Sequence, residues 1–165
     1  MPEGEGKRLT DAEYWILVAL DEAAMLPELL NPIVWITPRR SRRPWRRWEE
    51  QEIRPELAVE DAAAALATLV AAALVEVRQV RRHESNEVEQ VPVELLDGKT
   101  VMGSPHPFDT GRALAHDDVL RVVSDERNWR YPAETDSESQ YWIAITDAGE
   151  AAYRQSRDGR ERSTS

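Results

Sequence analysis

The residues with chemical potential fall into two groups. Arg39, Arg40, Arg42, Arg43, Arg46 and Arg47 crowd into one run with Trp45 and Trp48. Guanidinium groups pair with phosphate through bidentate bonds, and an indole stacks on an unpaired base. The run therefore suits a nucleic-acid backbone. Two other readings stay open for the same residues. In one, the tryptophans fill the edge of the core while the arginines are solvated. In the other, the arginines pair with acidic residues of this chain or another subunit. The second group is His83, His106 and His116, with Asp109 and Asp118 nearby in sequence. Their spacing fits no metal motif. The chain has no cysteine, no G-x-S-x-G nucleophile turn and no glycine-rich phosphate loop. The acids at Asp117-Asp118 and Asp125-Glu126 suit helix ends and solvent rather than a general acid/base pair. The expectation is a protein without catalytic residues, metal or cofactor, and not an enzyme.

The bulk numbers bound the partners. The 165 residues carry a net charge of −10, which opposes unspecific affinity for phosphate. The charge is uneven, because the arginine run is local and residues 82–140 are rich in Asp and Glu. No apolar run approaches the ~20 residues that span a bilayer. The start, MPEGEGKRLTD, lacks the apolar core of a signal peptide. The lack of cysteine suits a reducing cytoplasm, which is the expected location. Residues 1–8 hold little to bury and are expected to be a disordered leader.

The elements that must position the arginines follow from periodicity. Thr10 to Glu13 is a capping box, and behind it Ala12, Trp15, Ile16, Ala19, Leu20 and Ala23 mark a core-facing helical stripe. A helix so apolar is deeply buried or meets another subunit. Leu26–Leu30 makes one further turn, ended by Asn31-Pro32. Ile33–Thr37 is a short buried strand. Pro44 could open a short helix in residues 39–54, although basic residues in its first turn would oppose its dipole. Val59–Arg78 is a helix running straight into a strand: Leu66, Leu69, Val70, Ala73 and Leu74 form a stripe, then Val75-Glu76-Val77 alternates. Asp97-Gly98 predicts a type I′ hairpin between Val91–Leu96 and Thr100–Met102. Asp117–Glu126 is a short helix. Tyr141–Ile145 is a strand, and Thr146 caps a helix that reaches about Ser156. The tail 158–165 is expected to be disordered.

YWIAITDAGEAAY resembles the last wing strand and following helix of winged-helix regulators of the MarR and PadR kind. There a strand ends in a Thr, two residues and a Gly that opens a helix. LTDAEYWILVAL resembles their first core helix, and VEDAAAALATLVAAALVEV their third helix and first wing strand. Ile33–Thr37 would then be the short strand that pairs with the wing. The resemblance covers about half of the chain. It implies an α+β, winged helix-turn-helix-like domain over 9–157, with residues 82–139 inserted in the wing as a β-hairpin and short helix. Three departures stand out. Ala73 occupies the place of a helix-ending Gly, where a left-handed residue would be strained. The second helix would have to lie in the Arg/Trp stretch. The two wing strands are far apart in sequence.

In a DNA-binding winged helix, the third helix enters the major groove and presents polar side chains to base edges. Here the face opposite the leucine stripe carries Asp61, Ala64, Ala65, Thr68, Ala71 and Ala72. Only Thr68 could hydrogen-bond a base, which favours packing of Ala64, Ala65, Ala71 and Ala72 over readout. Two functions follow. The first is a DNA-binding or transcription-regulatory protein that contacts the backbone through Arg39, Arg40, Arg42, Arg43, Trp45, Arg46 and Arg47. The second is a protein-interaction module on a winged-helix scaffold that no longer reads DNA, docking a partner or forming a homodimer. Nothing calls for a membrane or a small molecule.

Overall fold

The computed structural model describes residues 8–37, 40, 50–81, 90–103, 108, 111–130 and 139–164. Helix α1 (Asp11–Ala19) starts where the capping box predicts, with Thr10 Oγ1 accepting from Glu13 N at 3.2 Å. Strand β1 (Ala24–Met25) leads into a 3₁₀ turn over Leu26–Leu30, with Pro27 in its first turn. Strands β2 (Ile33–Ile36) and β3 (Glu50–Ile53) form an antiparallel hairpin. Helix α2 (Val59–Ala71) feeds β4 (Val75–Arg81). A second hairpin, β5 (Val91–Glu94) with β6 (Thr100–Gly103), precedes β7 (Arg112–Ala113) and α3 (His116–Val123). A 3₁₀ turn over Glu126–Trp129, strand β8 (Ser139–Ile145) and helix α4 (Asp147–Thr164) complete the chain. The class is α+β, with antiparallel sheets.

The main sheet has the order β1-β8-β4-β7. Its spine is the long pair β4–β8, in register from Val75 opposite Ile145 to Arg81 opposite Ser139. The alternation in both strands sends Val75, Val77 and Ile143 inward. There they meet Ile16, Leu17 and Leu20 of α1, Leu26 and Leu29 of the 3₁₀ turn, and Leu66 and Leu69 of α2 in one core. The sequence left α1 either deep in its own chain or against a subunit, and it lies deep in its own chain. The segment between β4 and β8 adds to both the sheet and the core. Strand β7 extends the sheet beside Arg78 and Gln79, and Val119, Val123 and Trp129 join the core. Trp129 Nε1 donates to Val123 O at 3.0 Å, so the buried indole keeps its hydrogen bond.

The corner between α2 and β4 locks onto the corner between β8 and α4. Ala73 takes φ 58°. Leu74 N donates to Leu69 O and Ala73 N to Val70 O, both at 3.0 Å, which is the Schellman pattern with alanine in the usual glycine place. The strain foreseen at Ala73 is thus accepted rather than avoided, at a cost of roughly 1 kcal/mol. Facing it, Thr146 Oγ1 donates to Ala73 O at 2.8 Å and accepts from Gly149 N at 3.1 Å, while Thr146 N donates to Leu74 O at 3.0 Å. A Cβ on Gly149 would lie 2.0 Å from Leu74 O, so only glycine fits.

Several expectations are corrected. The strand beside β8 is Ala24–Met25, paired with Ile143 and Trp142, and not Ile33–Thr37. Ile33–Ile36 pairs with Glu50–Ile53 instead, because Arg54 N donates to Pro32 O and fixes the return of β3. Residues 50–53 are therefore strand rather than the end of a helix from Pro44; the start of that helix lies outside the described residues. Leu95-Leu96-Asp97-Gly98 is a type I turn in a three-residue loop rather than type I′. Gly98 N donates to Leu95 O at 2.9 Å, Leu95 N to Lys99 O at 2.8 Å, and Gly98 alone of the turn has positive φ, +82°. Helix α4 runs on through Thr164, where the sequence suggested disorder from 158. Arg160 holds it by donating to Asp11 Oδ1 at 2.6 Å and lying over the Tyr14 ring.

The corner yields a paired prediction. Gly149→Ala destabilises by roughly 3 kcal/mol or more through overpacking against backbone. Ala73→Gly stabilises by about 1 kcal/mol by relieving the left-handed alanine. Thermal unfolding checks both: a marked fall in Tm for the first, and a rise of roughly 2–4 °C for the second.

Candidate nucleic-acid interface

The arginine run belongs to the connection of the β2–β3 hairpin. Ile36 opposite Glu50 is the last pair, so residues 37–49 must close that end. Two buried guanidiniums hold the hairpin's roots. Arg54, only 3% exposed, donates from Nε to Asn31 O and from Nη1 to Trp15 O, both at 2.7 Å, and from Nη2 to Leu29 O. It satisfies carbonyls from α1, the 3₁₀ turn and the chain after it. Burial lowers its pKa to about 10, which still leaves it charged at neutral pH. The sequence reading missed Arg54. Its partners are main-chain carbonyls, which leave no trace in side-chain patterning.

Arg40 is the second root. The sequence grouped it with the backbone-contacting arginines, but it is 3% exposed and turned inward. Its Nη2 and Nη1 donate to Leu17 O at 2.9 Å and Val18 O at 3.2 Å, carbonyls at the C-terminal end of α1, of which Leu17 O also accepts from Leu20 N. Its Nε lies 3.2 Å from Glu150 Oε1 and 3.8 Å from Asp21 Oδ1. The Glu150 contact lacks hydrogen-bond geometry: Arg40 Nε and both Glu150 oxygens have no hydrogen-bond partner among the described residues. Coulombic attraction is what holds them, and Arg154 Nε at 3.7 Å adds to it. Asp21 Oδ2 in turn accepts from Thr37 N at 2.6 Å. The Arg40 guanidinium also covers the Tyr153 ring at 3.9 Å, and Tyr153 stacks on Tyr14. A charge so enclosed cannot meet a phosphate.

Arg39, Arg42, Arg43, Trp45, Arg46, Arg47 and Trp48 lie outside the described residues. What is described is β2, the strand that precedes them in sequence. Val34 and Ile36 point into the core, while Ile33 and Trp35 are 43% and 57% exposed. Ile53, the cross-strand partner of Ile33, is 78% exposed. The sequence treated the whole of Ile33–Thr37 as buried. With four apolar residues in a row, the two faces of the strand cannot be told apart by pattern.

Helix α2 offers little to a base. Ala64, Ala71 and Ala72 are exposed, as are Glu60 and Asp61. Ala65 is corrected: it lies in the core beside Leu66 and Leu69, not on an outer face. The error is one of angle, since Ala62, Ala65, Leu66 and Leu69 complete an i, i+3, i+4, i+7 stripe. Thr68 Oγ1 donates back to Ala64 O at 3.1 Å, so its proton is already engaged. His116 is an exposed helix-start residue, its Nδ1 4.0 Å from Asp117 Oδ1. His83, His106 and Asp109 lie outside the described residues. No His, Cys, Asp and Glu group among the described residues could hold a metal ion. No helix among them is long and apolar enough to cross a membrane.

No protein-family model, curated protein or solved structure matches the chain.

Replacing Arg40 by Met leaves Asp21 and Glu150 buried beside a neutral chain. Loss of one partner of a buried ion pair costs about 3–5 kcal/mol. Urea unfolding of Arg40→Met should show a loss of this size. Arg121→Ala, which removes a solvated arginine of α3, should stay within about 0.5 kcal/mol of wild type.

Proposed function

We propose that this chain is a non-enzymatic nucleic-acid-binding protein of the regulatory kind, built on a winged-helix scaffold. It meets the polymer's backbone through the arginines that close the β2–β3 hairpin. The observation that carries the reading is the concentration of Arg39, Arg42, Arg43, Arg46 and Arg47 on one connection of a chain with net charge −10, its root pinned by buried Arg40 and Arg54. A local positive island can bind a polyanion even when the total charge opposes it.

The scaffold part of the proposal draws support from the sheet. A short strand after the first helix pairs with the last strand, which pairs with the strand after α2, in the order β1-β8-β4. The Thr146-Asp147-Ala148-Gly149 corner joins β8 to α4 as the resemblance implies. Two features bend the reading away from a conventional operator binder. The β2–β3 hairpin stands between α1 and α2, where the resemblance asks for a second helix. The exposed side of α2 is alanine and acid, so binding rests on backbone contact rather than base readout. A cytoplasmic setting belongs to the same proposal.

Backbone contact makes binding depend on salt. If the five arginines each displace a counterion, log Kd plotted against log salt should have a slope of roughly 4 for duplex. Fluorescence anisotropy of a labelled oligonucleotide reads this directly. Changing Arg42, Arg43, Arg46 and Arg47 together to Glu should abolish the binding. Failure to retain single-stranded or duplex DNA or RNA at low salt would end the proposal.

One observation favours the second reading, a protein-interaction module. The β5–β6 hairpin is a two-stranded sheet of its own and exposes Leu95, Leu96, Val101 and Met102. An isolated two-stranded hairpin is marginal in water, so a partner surface would stabilise it. On that reading the chain self-associates, and Met102→Lys or Ala72→Arg shifts it towards monomer in sedimentation equilibrium. A wild-type monomer counts against it. Ala65→Arg is no test, because it would disrupt the core.

A further inference from the structure

We propose that the second half of α4, from Arg154 on, is a strap that docks on the start of α1 at low ionic strength and lets go as ionic strength rises. The device stands apart from the nucleic-acid reading, because the only part of the arginine run it touches is the main chain at Arg40.

Composition divides α4. Its first half is anchored by Gly149 against Leu74 O and by Tyr153, which is 3% exposed and part of the core. After Tyr153 the helix reads RQSRDGRERST, without one apolar side chain. Hydrophobic burial therefore has nothing to hold there. The grip is polar instead. Tyr153, Arg157 and Arg160 recur at four- and three-residue steps and so share one face of the helix. Arg160 Nη2 donates to Asp11 Oδ1 at 2.6 Å, and its guanidinium lies 4.0 Å from the centre of the Tyr14 ring. Arg157 Nη1 donates to Arg40 O at 3.3 Å. The strap thus ties the first turn of α1 and the main chain at Arg40 to the end of α4.

Each grip is of a kind that opens easily. The Asp11 side chain is 85% exposed and that of Arg160 33%, so their ion pair sits close to water, contributes little and is screened by salt. The contact of a guanidinium with a ring at such a site is similarly modest. Gly159 weakens the helix between the two arginines. A Cβ there would meet no atom within 4 Å, so packing does not demand glycine, and in a helix interior glycine is less stable than alanine. Segments with few buried apolar groups open at a far lower free energy than the core does. Opening uncovers the face of Tyr14 that Arg160 covers, on a ring that stacks with Tyr153 inside.

Hydrogen–deuterium exchange of the full-length chain, read by mass spectrometry on peptides covering 154–164, is the test. It is run at about 0.1 M and about 1 M NaCl, between which the screening length falls from about 10 Å to about 3 Å. Peptides of β4 and β8 are the control. In the wild type the strap should be protected at low salt and exchange roughly two- to fivefold faster at high salt, with the control unmoved. Arg160→Ala should speed low-salt exchange of the strap roughly three- to thirtyfold and remove most of the salt effect. Alanine favours helix, so that loss reads the clamp and not helix propensity. Gly159→Ala should slow exchange roughly two- to fivefold. Protection over 154–164 as high as in β4, and indifferent to salt and to Arg160→Ala, overturns the proposal. So does a wild type with no protection there at low salt. Equal acceleration of strap and control by Arg160→Ala also overturns it, because Arg160 would then hold the whole fold. All of these outcomes leave the nucleic-acid reading untouched.

Discussion

The fold depends on one close approach, that of Gly149 to the carbonyl of Leu74. No other residue type fits at 149, since a Cβ would lie 2.0 Å from that oxygen. Thr146 completes the contact by bonding Ala73 O with its hydroxyl and Leu74 O with its amide. These bonds satisfy carbonyls left over at the end of α2 and start α4 at the same point. They also set the register of β4 against β8, because Val75 and Ile145 are the first residues beyond the corner. The remaining sheet, the direction of α4 and the position of α1 beneath it follow from that register.

The second constraint is the use of buried arginine as a carbonyl cap. Arg40 sits in the connection of the hairpin and Arg54 directly after β3, and both donate to main-chain oxygens of α1 and its surroundings. Burying a guanidinium is costly unless every charge and donor finds a partner. Here the partners are main-chain carbonyls of α1, of the 3₁₀ turn and of Asn31 just after it. The consequence is positional: the connection with the other arginines leaves a fixed root, and Trp35 stands on a strand that cannot easily shift.

Much of this was legible in the sequence where the signal is local. The capping box at Thr10, the switch of period at Val75, the strand at Tyr141 and the Thr146 cap each declare themselves within a few residues. What was not legible depends on distance. Nothing near Ala24-Met25 marks it as the partner of β8, since two residues carry no periodicity. Arg40 looks like its neighbours in the run, and the groups that turn it inward, Leu17 O, Val18 O, Asp21, Glu150 and the Tyr153 ring, are remote in sequence. Ala65 was assigned to the wrong face because an alanine-rich helix gives few large residues from which to fix the angle of its stripe. Trp35 was taken as buried because IVWI is apolar on both sides.

On the proposed function, nucleic acid is met by the β2–β3 hairpin and its connection, and not by α2. Ultraviolet cross-linking of the full chain to a single-stranded oligonucleotide, followed by mass spectrometry of the cross-linked peptides, locates the contact. Cross-links confined to residues 33–53 are the predicted result. Cross-links that map to residues 59–72 of α2, or none at all at saturating oligonucleotide, would contradict it.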